Sequence, residues 1–228
     1  MGSSPELISF TSRDAMAARV ADLIEARLGE GGALAVSGGS TPKLLYEILA
    51  TRDLPWGGID ITLVDERWVN ADHPRSNEAF VRVAFAQARG ACVTGLYNGA
   101  GTAVDGVADI AARIDKVRRP FDAVVLGMGD DGHTASWFPH ALGLDAALET
   151  EDLVCAITAK QSEITGAEVE RMTLTLSAIK DARLIVLLLA GDAKHATFEI
   201  ALKSGLVEDM PVRAILRARP DIWVCWAP

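Results

Sequence analysis

The sequence predicts an α/β protein with a doubly wound, mostly parallel sheet and helices on both of its faces. Short, continuous apolar runs recur along the 228 residues, the pattern of strands buried on both sides. Stretches with apolar residues at helical spacing separate those runs. Glycine-rich segments lie where several of the runs end, and ligands of doubly wound sheets bind beyond the carboxyl ends of strands.

From the N-terminus, Ala, Leu, Ile and Val at helical spacing predict a helix over 14–28, stopped by Gly29, Gly31 and Gly32. Residues 33–36 form a short apolar strand, and after a glycine loop the stretch 42–50 returns to helical periodicity. A strand over 59–64 precedes helices over 77–88 and 104–117, then a strand over 123–126. Further strands are expected at 153–157, 172–176 and 184–189, a helix at 193–203, and a last strand at 222–225. No internal repeat, low-complexity tract or Pro/Ser-rich linker interrupts the pattern, so 1–228 reads as a single domain.

Half of the residues are apolar and 23% are charged, a balance that supports a continuous core. The longest apolar run, 184–190, has seven residues, against the ~20 that a membrane-spanning helix needs. Residues 1–10 lack a basic n-region and a long apolar h-region, so no secretory signal is read and a cytoplasmic address is expected. A net charge of −9 argues against a nucleic-acid binder. It leaves room for a small anion, because charge acts over only ~8 Å at physiological salt and local cations dominate inside a cleft. Cys92, Cys155 and Cys225 are odd in number and widely spaced, which suggests neither a disulfide framework nor a zinc site. Each is expected to behave as a small buried hydrophobe.

Three segments and two cations carry the chemistry. In Ser37-Gly38-Gly39-Ser40-Thr41-Pro42, Thr41 is a natural N-cap and Pro42 suits the first helical position. The glycines let the backbone approach an anion, and the helix start supplies unpaired N–H groups: a phosphate cradle built from Gly38, Gly39, Ser40 and Thr41. The segment matches neither the dinucleotide fingerprint nor the Walker A pattern. Asp65-Glu66-Arg67 directly follows a strand, and Arg67 has the fork to bind phosphate or carboxylate, or to stabilise charge on a carbonyl oxygen. His73, beside Pro74, reads as a solvated loop histidine. In Gly127-Met128-Gly129-Asp130-Asp131-Gly132-His133, three glycines hold the backbone open around one imidazole, the group that titrates near working pH. Asp131, two residues earlier, is placed to orient His133. No second His or Cys lies at ligand spacing, so no metal is expected. Arg171 at a strand start and Lys194 at a helix start complete the set.

Ser37 to Pro42, Asp65 to Val69 with Ser76-Asn77, Gly127 to Ser136 with Pro139, Arg171 to Leu176 and Gly191 to Lys194 resemble, in order, the motifs of bacterial 6-phosphogluconolactonases. The wider superfamily, with its NagB/RpiA-like fold, includes glucosamine-6-phosphate deaminases. Those usually have Tyr where this chain has Arg67, and an Asn-Glu-Pro segment where it has Trp137-Phe138-Pro139. Trp137 stands where the lactonases more often have Leu, and the C-terminal 223–227 lacks an Asp often found there.

The resemblance implies hydrolysis of 6-phospho-D-glucono-1,5-lactone, the second step of the oxidative pentose phosphate pathway, without metal or organic cofactor. His133 is expected to take the water proton and return one to the ring oxygen, with Asp131 orienting it. Gly38 to Thr41, Arg171 and Lys194 are expected to hold phosphate, and Asp65 to contact substrate. Arg67 serves either the oxyanion or the phosphate. The expected partner is a small phosphorylated sugar lactone, with no nucleic acid and no membrane, and the protein is expected to be a monomer or weak homodimer. Two alternatives are a sugar-phosphate deaminase or isomerase with Asp65 as carbon base, and a non-catalytic sugar-phosphate sensor.

Overall fold

A computed structural model describes residues 5–228 of the chain. The first four residues of the 1–10 segment read for a leader lie outside the described residues. In chain order the elements are β1 (Leu7–Ser9), α1 (Arg13–Leu28), β2 (Gly32–Val36), α2 (Lys43–Ala50), β3 (Ile59–Leu63), β4 (Asp65–Arg67), α3 (Asn77–Ala84), β5 (Cys92–Thr94) and α4 (Ala103–Ile114). They continue as β6 (Ala123–Gly127), α5 (Leu144–Glu149), β7 (Val154–Thr158), β8 (Glu170–Leu174), α6 (Leu176–Lys180), β9 (Ile185–Ala190), α7 (Asp192–Ala201), α8 (Val212–Ala218) and β10 (Trp223–Ala227).

The main sheet has the order β1-β10-β9-β6-β2-β3-β5, with every neighbouring pair parallel. Every residue of β2 is buried, and β6 and β9 are buried up to their last residues, so both faces of the sheet centre are covered. This is the doubly wound sheet that continuous apolar runs anticipate. Strand order turns at β2 and β6, because β3 and β5 extend one way and β9 and β10 the other. A crevice opens at such a switch point, beyond the carboxyl ends of the two strands.

Two of the expected strands stand outside this sheet. β7 and β8 pair antiparallel with each other, and β8 pairs antiparallel with the charged segment β4, to make a second, three-stranded sheet. Helix ends also differ from the reading. The helix expected from residue 42 begins at Lys43 with Pro42 as its N-cap, and Thr41 makes no capping hydrogen bond. The helix expected over 77–88 ends at Ala84. Ser76, Thr102 and Thr175 do cap α3, α4 and α6, each accepting from the backbone N–H three residues on. Of the three cysteines only Cys225 is buried; Cys155 is half-buried and Cys92, on the edge strand β5, is exposed, contrary to expectation.

The second sheet is joined to α3 through Glu66. Alternation along β4 sends Asp65 and Arg67 to one face and Glu66 to the other, where it is fully buried. One carboxylate oxygen accepts from the backbone N–H groups of Arg67 at 2.8 Å and Asn77 at 2.7 Å. The other accepts from the Glu78 N–H at 2.7 Å and the Ser76 hydroxyl at 3.0 Å. Burial pushes the Glu66 carboxyl up, and these four hydrogen bonds oppose it. In Glu66→Gln an amide NH2 faces a backbone N–H whichever way it turns, those of Arg67 and Asn77 in one orientation and that of Glu78 in the other. A hydrogen bond to a charged group is worth about 1.5–3 kcal/mol, and urea unfolding should register a loss on that scale; unchanged stability would contradict this role.

Candidate active site

β2 delivers the glycine loop. The Ser37 N–H still pairs with the Val125 carbonyl at 3.1 Å, after which the chain leaves the sheet and enters α2. Behind the loop, the buried Tyr46 hydroxyl of α2 donates to the Ser37 carbonyl at 2.8 Å, tying helix to loop; burial pushes that phenol up. A Cβ on Gly38 would lie 2.0 Å from Asn77 Oδ1, so only glycine lets the loop pass the Asn77 amide. Among the described residues, the N–H groups of Gly38, Gly39, Ser40 and Thr41 have no protein acceptor. They sit at the positive end of α2, where an anion is favoured.

The small sheet delivers the carboxylate and two guanidiniums. Asp65 and Arg67 share one face of β4, and the register sets Arg67 opposite Arg171 and Asp65 opposite Thr173. Asp65 is 7% exposed and accepts from the Ser136 hydroxyl at 2.6 Å and the Asn77 amide at 3.3 Å. The Arg67 guanidinium donates to the Arg75 carbonyl, while its buried Nε has no hydrogen-bond partner among the described residues. Arg171, 2% exposed, donates from Nε to the Glu168 carbonyl and from Nη2 to the Thr165 carbonyl, both at 2.8 Å. Burial pulls this guanidinium down to about 10; Asp65 opposes the shift, and Arg67 and Arg75 add to it. Among the described residues neither Arg67 nor Arg171 has a carboxylate within ion-pair distance. A buried and a half-buried guanidinium side by side, with the Asp65 carboxylate near but not paired to either, leave positive charge that an anion can take up.

β6 delivers the imidazole. Past Gly127 the chain makes a tight turn, with the Gly132 N–H on the Gly129 carbonyl at 3.0 Å and the Gly129 N–H on the His133 carbonyl at 2.9 Å. Asp131 Oδ1 lies 2.5 Å from His133 Nδ1 and also accepts the His133 backbone N–H at 3.1 Å. Burial alone would raise the Asp131 carboxyl; the hydrogen bond and charge of His133 outweigh it and hold the carboxyl below its usual range. Asp131 therefore stays ionised at neutral pH. With Nδ1 engaged, Nε2 is the nitrogen left for chemistry. A Cβ on Gly129 would lie 2.0 Å from Nδ1, so the second glycine of the segment is what lets the ring sit here. Phe138 covers the imidazole, with ring centroids 4.3 Å apart and planes tilted by 34°. The Arg171 guanidinium stands over the same phenyl ring, 5.4 Å from its centroid.

Groups from all three elements face one cavity of about 340 Å³ at the β2/β6 switch point. Gly38, Gly39, Ser40, Thr41, Asp65, Arg67, His133, Arg171 and Lys194 line it. Lys194, in the first turn of α7, donates to the Met128 carbonyl and lies 3.4 Å from Asp130. Asp131 is held behind His133 rather than in the lining. Asn77 and Phe138 also line the cavity, and Ser136 holds Asp65 from behind. The sequence reading assigned none of these three a role. Asn77 and Ser136 fell inside quoted motifs, but nothing local says that either reaches Asp65. His73 accepts the Arg75 N–H through Nδ1 at 3.2 Å, outside the lining. Trp137 is fully buried with its indole N–H on the Leu174 carbonyl at 3.0 Å, so its size serves packing. Among the described residues no group of three or more His, Cys, Asp or Glu side chains is arranged to hold a metal ion.

Comparison with known proteins identifies the family. The chain is 39% identical to a 6-phosphogluconolactonase of Rhizobium meliloti (strain 1021), over 96% of this chain and 97% of that protein. It is also 39% identical to a 6-phosphogluconolactonase of Mesorhizobium japonicum, over 94% and 90% of the two chains. The crystal structure of a 6-phosphogluconolactonase from Shewanella baltica OS155 superposes with a TM-score of 0.92 at 39% identity, covering 100% of both chains. The family model described as glucosamine-6-phosphate isomerases/6-phosphogluconolactonase matches residues 10–226, and the chain belongs to that family.

Proposed function

We propose that the protein hydrolyses 6-phospho-D-glucono-1,5-lactone to 6-phospho-D-gluconate, the second step of the oxidative pentose phosphate pathway. One observation carries this reading: an imidazole tethered to a carboxylate at 2.5 Å shares a cavity with three cations and an N–H-rich loop. Ring opening of a lactone requires an activated water, a stabilised oxyanion and a proton for the departing ring oxygen. His133 Nε2 takes the proton of the attacking water as the new C–O bond forms at the lactone carbonyl carbon. The tetrahedral intermediate collapses with cleavage of the bond to the ring oxygen, which receives the proton from the imidazolium. Asp131 fixes the tautomer and stabilises the transient cation. Water supplies every atom added, so the balance needs no oxidant or reductant.

The phosphate lies against the Gly38 to Thr41 N–H groups, Arg171 and Lys194, and its binding energy positions the carbonyl beside His133. Arg67, whose Nε is a buried donor without a partner among the described residues, faces the oxyanion or the phosphate. Asp65, an acceptor lining the same cavity, takes a sugar hydroxyl. The substrate is thus a small phosphorylated sugar lactone, the expected assembly a monomer or weak homodimer, and the expected compartment the cytoplasm. No helix among the described residues is long and apolar enough to cross a membrane.

A coupled assay with freshly generated 6-phosphogluconolactone, corrected for spontaneous opening, should give enzyme-dependent 6-phosphogluconate. Ammonia release from glucosamine 6-phosphate should be absent. Ammonia without lactone turnover would replace this reading with the deaminase one, and binding without either turnover would leave a sensor.

A further inference from the structure

Phe138 does not react and donates no hydrogen bond from its side chain, yet it touches two groups with different tasks. One contact is to the His133 imidazole, 4.3 Å between ring centroids; the other is the Arg171 guanidinium, 5.4 Å from its centroid. The ring is 5% exposed and lines the cavity between them. We propose that Phe138 is a positioning residue that holds the imidazole and the phosphate-binding guanidinium in one stack, so that substrate phosphate and reacting carbonyl are aligned together. The proposal rests on the functional reading above and adds a residue to it.

The physical case begins with freedom. Asp131 fixes Nδ1 of His133 but leaves the imidazole free to swing about that one hydrogen bond, carrying Nε2 across the cavity. A face packed on Phe138 removes that swing. Arg171 is anchored by two backbone carbonyls, and its remaining nitrogen is aimed by whatever lies under the guanidinium plane. A phenyl face there favours the cation and keeps water from it. The backbone sets the ring: the Phe138 N–H bonds the Ser136 carbonyl at 3.1 Å, and the Phe138 carbonyl accepts the Ala141 N–H at 3.2 Å. Ser136 in turn holds Asp65, so the turn that places the phenyl ring also places the sugar-facing carboxylate.

Loss of the ring should therefore affect turnover and phosphate binding together. Phe138→Leu and Phe138→Met keep an apolar side chain at a buried site but remove the π-face; Phe138→Tyr keeps the face. The readouts are kcat with the lactone and, by calorimetry, the Kd of inorganic phosphate. Both are normalised to folded protein from the thermal unfolding curve. Leu and Met should lower kcat about tenfold and weaken phosphate about threefold to tenfold, the scale of one lost stacking and one lost cation–π contact. Tyr should return both to within about threefold of wild type on the same scale. A side chain that merely fills space would lower the melting temperature and leave Kd unmoved. Wild-type kcat and Kd in both Leu and Met would overturn the proposal. So would a fall in kcat with Kd unchanged, or a Tyr variant that melts like wild type but loses as much as Leu. Phosphate calorimetry needs no turnover, so failure of the lactonase reading, seen as no turnover by the wild-type protein, is separable from failure of this one.

Discussion

His133→Ala is expected to lower kcat ~100–10,000-fold, the range that a positioned general acid–base contributes, with KM close to the wild-type value. The split follows from what the side chain does. Nδ1 is committed to Asp131 and Nε2 has no protein partner among the described residues, so the imidazole's free nitrogen is kept for proton transfer. A group that acts in the transition state and not in ground-state binding changes kcat and kcat/KM together. The proposed phosphate donors lie elsewhere, in the loop between β2 and α2, on β8 and on α7, and stay in place when the imidazole is removed. Measured kcat within about threefold of wild type, far below any general-base contribution, would remove His133 from the mechanism.

The second large effect is on KM. Lys194→Ala and Arg171→Ala should each raise KM about 10–100-fold, since one hydrogen bond to a charged group is worth roughly 1.5–3 kcal/mol. The effect on kcat should be smaller. Lys194 is the cleaner test, because it sits at a helix start with a half-exposed side chain and its removal uncovers little. Arg171 is buried and satisfies the Thr165 and Glu168 carbonyls, so its variant should also lose stability, visible in urea unfolding. An unchanged KM in both variants would put the phosphate elsewhere. A matching loss of inorganic phosphate affinity would link the KM effect to the phosphate rather than to the sugar.

Much of this site is legible along the chain. A glycine run after an apolar strand announces a loop that opens its N–H groups, and an Asp two residues before a lone His announces an oriented imidazole. Both follow from local geometry: glycine tolerates close approach, and residues two apart in a turn reach one another. Gly129 shows how strict that geometry is, because a Cβ there would collide with the imidazole. The central strands were legible for a similar reason, since burial on both faces leaves an apolar run without alternation.

Partnership is not written locally. The runs at 153–157 and 172–176 look like the parallel strands around them, yet they form an antiparallel sheet with β4. Apolar periodicity records how deeply a strand is buried and is silent on which edge it joins. Asp65-Glu66-Arg67 carries no apolar signal at all, and only its pairing with β8 turns the outer two residues toward the cavity and the middle one into the α3 cap. The same distance in sequence hides Asn77 and Ser136 on Asp65, and Phe138 between His133 and Arg171. Sequence alone determined the α/β class, the glycine cradle and the Asp131–His133 pair, because each depends on neighbours a few residues apart. Tertiary structure alone decided that two guanidiniums and a phenyl ring meet that imidazole. Contacts between segments far apart in the chain are set by hydrogen-bond register and packing of the whole core, which no local pattern encodes.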